Sequence, residues 1–110
     1  MAIKYVHVAG DQKTIAILEN TKMDAVNKIR KMCAGTSIVI DESKYMMNDK
    51  FRAVVKCCAG DQYTEEEGKN RAKEKLLAKY YRMFDAKMDL FKANLIELNS
   101  KIFETPEELC

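Results

Sequence analysis

From residue 65 to residue 103 the chain has no proline, and its single glycine there, Gly68, stands in the opening turn. Over that stretch Leu77, Tyr81, Phe84, Met88, Phe91, Leu95, Leu98 and Ile102 alternate steps of four and three without a miss. Such spacing is a heptad seam on a helix. Leu76, Met83 and Leu90 form a second stripe beside it, wider than a two-stranded coiled coil requires. Thr64 followed by Glu65, Glu66 and Glu67 opens the stretch as a capping box, with acids where the helix dipole favours them. The pattern fits a continuous helix, or a helical hairpin in which Asp85 caps a second helix after a break near Phe84. A continuous helix would be about 58 Å long. A compact globule of this chain length has a radius of gyration of only about 13 Å. The outer end would then carry its apolar stripe into water, so the sequence predicts a homo-oligomer joined through Phe84, Met88, Phe91, Leu95, Leu98 and Ile102.

The residues before the seam read as a small sheet with one short helix. Residues 3–8 and 14–18 predict two strands joined by a turn at Gly10 and Asp11. Thr21 precedes a helix over 22–33, where Met23, Val26, Ile29, Met32 and Cys33 recur at helical spacing, and Gly35 stops it. The β-branched run 37–40 predicts a third strand. Residues 42–50 have no clear pattern beyond a turn signal at Asn48 and Asp49. Residues 51–57 predict a fourth strand with Phe51, Ala53, Val55 and Cys57 on one face and Arg52 and Lys56 on the other. The expected fold class is α+β: a small antiparallel sheet, a short helix and a long C-terminal helix or helical hairpin. The 110 residues form one domain by length, with the sheet and short helix in 1–63, the helical region in 64–104 and a tail in 105–110.

Composition narrows the function classes. Nineteen basic residues against seventeen acidic ones give a net charge of +2, too balanced for a strongly basic nucleic-acid binder or an acidic DNA mimic. No apolar run is long enough to span a bilayer and no signal peptide is evident, so the expected location is cytoplasmic. Cys33, Cys57, Cys58 and Cys110 form no C-x-x-C pair, and His7 is the only histidine. The expectation is reduced cysteines, no metal, no cofactor and no disulfide. Phosphate-loop and nucleophile-elbow motifs are absent, and no acid–base pair can be argued from spacing. Binding is expected, not catalysis.

Charge placement suggests what is bound. Lys69, Arg71, Lys73, Lys75, Lys79 and Arg82 face the single acid Glu74 between residues 69 and 82. Arg52 and Lys56 share a face of the preceding strand, and Tyr63, Tyr80 and Tyr81 are interleaved. Arginine grips phosphate bidentately and tyrosine stacks on bases. Arg52, Lys56, Tyr63, Asn70, Arg71 and Lys73 are therefore the candidate ligand-binding residues for a small nucleotide. The alternative is a solvated basic helix face with tyrosines in the core, and Tyr81, in the seam, belongs to packing. The four residues from Ala9 to Gln12 recur from Ala59 to Gln62, which reads as two turns using the same good turn residues.

Lys56 and Cys57, then Asp61, Tyr63, Glu66, Gly68 and Ala72, resemble a pattern in small proteins of Gram-positive phages and prophages that includes the Thoeris anti-defence family. The resemblance covers residues 52–72. It implies a small sheet followed by C-terminal helices, assembly into oligomers, residence in the host cytoplasm, and sequestration without cleavage of cyclic ADP-ribose isomers made by bacterial TIR-domain enzymes. None of that family's ligand contacts aligns residue by residue. Two further function classes fit the same features: a protein-binding inhibitor of a defence nuclease, of the anti-CRISPR type, and a structural coiled-coil assembly protein.

Overall fold

The computed structural model describes residues 2–56 and 64–109, with side chains for all of these except residues 9 and 98–109. The elements follow as β1 (Ile3–Val8), β2 (Lys13–Glu19), α1 (Asp24–Cys33), β3 (Lys50–Lys56) and α2 (Glu65–Leu109). This is the α+β class that the patterning predicts. The sheet is antiparallel in the order β1-β2-β3. A 3-10 turn at Ala9–Asp11 followed by Gln12 at φ 48 closes the hairpin on the paired Val8 and Lys13.

Two expectations fail between β2 and β3. Thr21 does not cap α1, whose N-cap is Met23 without a side-chain hydrogen bond. Thr21 is buried, its hydroxyl donates to the Asn48 carbonyl, and its backbone N–H donates to the Asp49 carbonyl at 3.3 Å. It ties the entry of α1 to the entry of β3. Residues 37–40 form no strand. β-Branching favours extended backbone, but a strand also needs a ladder partner in reach, and this segment runs beside α2 instead. Gly35 ends the α1 region as predicted, at φ +79, a conformation that penalises any Cβ.

Helix α2 opens as its capping box predicts: the Thr64 Oγ1 accepts from the Glu67 N–H at 3.2 Å. It continues through Asp85 without a break, so the hairpin alternative is wrong. Its 45 residues make a rod of about 67 Å, which accounts for a molecule measuring 74 × 24 × 17 Å.

The rod is partly clothed by its own chain. Ala72, Leu76 and Tyr80 pack with Ala16, Leu18, Phe51 and Ala53 of the sheet. Further along, Met88 and Phe91 pack with Val26 and Ile29 of α1 and with Tyr45 of the 3-10 turn Glu42–Tyr45. Phe84 touches both clusters and joins them. The predicted oligomer seam is therefore corrected over most of its length. Phe91 is only 3% exposed, Met88 is buried, and Phe84 and Leu95 are half-buried against the same cores. They are covered within one chain by α1 and the 42–45 turn. The Leu98 and Ile102 side chains lie outside the described residues. The seam is also misplaced by one residue in its first half, where Tyr80 is buried and Tyr81 is 46% exposed.

Candidate functional site

Alternation along the strands gives the sheet two faces. Helix α2 covers the one carrying Ile3, Tyr5, Ala16, Leu18, Phe51 and Ala53. The register fixes what the other carries. Val6, Ile15 and Val54 lie in one cross-strand row; Lys4, Ile17 and Arg52 flank it on one side, and Val8, Lys13 and Lys56 on the other. An apolar row thus crosses the centre of a face with four cations around it, of which Lys13 pairs with Asp11 at 3.6 Å. Glu19, at one end, pairs with Lys4 at 3.5 Å and Lys50 at 3.8 Å. Among the described residues no element packs on this face. Val6 is 46% exposed, while Ile15, Ile17 and Val54 keep partial exposure through contact with their neighbours.

The signal for this face was in the sequence. Residues 14–18 are apolar at Ile15, Ala16, Ile17 and Leu18 without alternation. In an antiparallel sheet with helices on one side, that means a strand apolar on both faces. Lys4, Val6, Lys13, Ile15 and Val54 were missed because strand faces can be matched only once the register is known.

The predicted ligand residues are not brought together. Arg52 and Lys56 lie on the open sheet face. Asn70, Arg71 and Lys73 lie on α2, exposed, on the other side of the sheet. Arg71 is occupied by an ion pair with Glu67 one turn earlier. Tyr63 lies outside the described residues. Three other members of the basic cluster have structural work. Lys75 Nζ donates to the Val54 carbonyl and Lys79 Nζ to the Arg52 carbonyl, each at 3.0 Å, and Lys69 Nζ sits 4.9 Å above the Tyr5 ring. Tyr80, one of the tyrosines interleaved with the basic residues, is buried and donates to the Asp24 carboxylate at 2.6 Å. Burial, then that hydrogen bond, push its phenol well above the usual range.

A groove of about 370 Å³ runs between residues 38–41 and α2, lined by Ile38, Val39, Ile40, Asp41, Lys44, Tyr45, Phe91, Asn94, Leu95 and Glu97. Asn94 Nδ2 donates to the Tyr45 hydroxyl at 2.8 Å across its floor. Asp41 and Glu97 against one lysine make it a poor cradle for phosphates.

Among the described residues no cluster of histidine, cysteine or carboxylate side chains is arranged to hold a metal, and no helix is long and apolar enough to cross a membrane. No protein-family model, curated protein or solved structure matches the chain.

Proposed function

We propose that this chain is a non-catalytic protein-binding module that works by covering an acidic surface of a partner protein with the open face of its sheet. The observation that carries this reading is the Val6, Ile15 and Val54 row flanked by Lys4, Lys13, Arg52 and Lys56. An apolar centre with a charged rim is the anatomy of a protein interface. A single-stranded nucleic acid calls for aromatic platforms, and among the described residues this face carries none. Sequestration of a nucleotide loses support because the residues proposed for it stand on opposite sides of the sheet. The alternative function class, a protein-binding inhibitor of a defence nuclease, supplies the class of partner, a component of a bacterial immune system, and inhibition as the outcome.

The test is purification of the tagged protein from bacteria with an active defence system, followed by mass spectrometry of both proteins and small molecules. The expected result is a protein partner in near-stoichiometric yield. Arg52→Glu/Lys56→Glu should lose it and Arg71→Ala/Lys73→Ala should keep it. A bound nucleotide without a protein partner would overturn the proposal.

A further inference from the structure

The lysines that α2 sends to the sheet keep their charge. Lys75 Nζ donates to the Val54 carbonyl and Lys79 Nζ to the Arg52 carbonyl, each at 3.0 Å. An ammonium has three donors, and a carbonyl takes one of them without neutralising the charge. Both residues remain exposed. Because β3 is an edge strand, these contacts bring the two ammonium groups to the rim of the open face, alongside Arg52 and Lys56. Among the described residues no carboxylate pairs with any of the four. Arg71, one turn before Lys75, is held by Glu67. Glu74 is the neighbour of Lys75 in the helix, where adjacent side chains do not face each other. The result is a strip of four cations along β3, bordered by the apolar row at Val54.

The strip has a regular spacing. Arg52 and Val54 are two residues apart on one strand, which sets their carbonyls, and the ammonium groups on them, about 6.7 Å apart. Arg52 and Lys56 are four residues apart, about 13 Å. Side chains on one side of an extended chain repeat at the first of these distances and at its double. We infer that the strip receives an extended acidic segment of the partner protein, lying along β3 with carboxylates at every second residue. The segment docks through side chains, because ammonium groups already occupy the edge carbonyls that a backbone ladder would need. A nucleic-acid strand would bring the same charge, but its bases call for stacking rings, and among the described residues the open face carries none. The inference rests on the proposed docking role, and adds to it two lysines of α2 and the form of the partner's acidic surface.

The test is a nuclear magnetic resonance titration of the full chain, isotope-labelled, at low salt. The probe is a short synthetic peptide of alternating glutamate and threonine. Amides of residues 52–56 and 75–79 should shift together. A peptide of the same composition with its glutamates in one block presents only half of them to the strip, and should bind about fivefold more weakly. Lys75→Met/Lys79→Met keeps the apolar stems and should also cost about fivefold. Lys75→Arg/Lys79→Arg and Lys73→Met should bind like the unaltered chain. Silence at residues 75–79 with the alternating peptide at about 1 mM would overturn the inference. So would equal affinity for the blocked peptide, unchanged affinity in the methionine variant, or tighter binding of an oligothymidylate than of the peptide. A silent peptide with partner capture still lost in Arg52→Glu/Lys56→Glu would sink this inference alone. A bound peptide with no protein partner recovered from bacteria would instead count against the docking proposal alone.

Discussion

The Tyr80 hydroxyl donates to the Asp24 carboxylate across 2.6 Å, joining the middle of α2 to the first turn of α1, 56 residues earlier. Tyr80 also packs edge-on against Phe51 of β3, with centroids 5.6 Å apart. One side chain therefore fastens the long helix to both halves of the body. Tyr80→Phe keeps the ring and should cost about 1.5–3 kcal/mol, the worth of a hydrogen bond to a charged acceptor. Urea denaturation measures this directly.

The same contact sets an alkaline limit. Folding raises the Tyr80 phenol above its unfolded value near 10, so its contribution is complete below about pH 10 and declines as pH rises beyond that. Stability of the native chain should fall above pH 10 more steeply than that of Tyr80→Phe. Parallel pH profiles of unfolding would contradict this.

At the acid end the relevant pair is Arg30 and Glu42, which clamps the 42–45 turn to α1 through two hydrogen bonds. The guanidinium holds the Glu42 carboxyl below the usual range, chiefly by hydrogen bonding. Its contribution is present above the unfolded glutamate value near 4.3 and is lost as pH falls through the lower folded value. Glu42→Gln should flatten the acid limb of a stability profile, and an unchanged limb would remove the pair from the account.

Phe91 decides between core and oligomer seam. It is buried against Tyr45, ring centroids 5.9 Å apart. Phe91→Ala should cost about 3–5 kcal/mol, whereas Arg71→Ala and Lys73→Ala should each stay within about 0.5 kcal/mol. A stably folded Phe91→Glu monomer would restore the open seam.

What the sequence made legible was the architecture. The proline-free stretch with its capping box shows α2, the alternation shows β3, and Gly35 shows where α1 ends. The site was less legible for reasons that can be named. The seam counted large residues, and the true anchor of the first half of α2 is Ala72, too small to register in such a pattern. Starting from Leu77 instead of Leu76 exchanged Tyr80 for Tyr81. Lys75 and Lys79 counted as members of a basic cluster because their acceptors, two edge carbonyls, depend on the sheet register. Thr21 looked like a cap because its partner, Asn48, lies 27 residues away.

The central claim, that the open sheet face holds a protein partner, is tested most directly by site-specific photo-cross-linking in bacteria. A photoreactive side chain at Val54 stands in the central cross-strand row of the face, and one at Lys73 stands on α2, on the other side of the sheet. The account predicts a discrete protein adduct from position 54 and none from position 73. An adduct from position 73 with position 54 silent would contradict it.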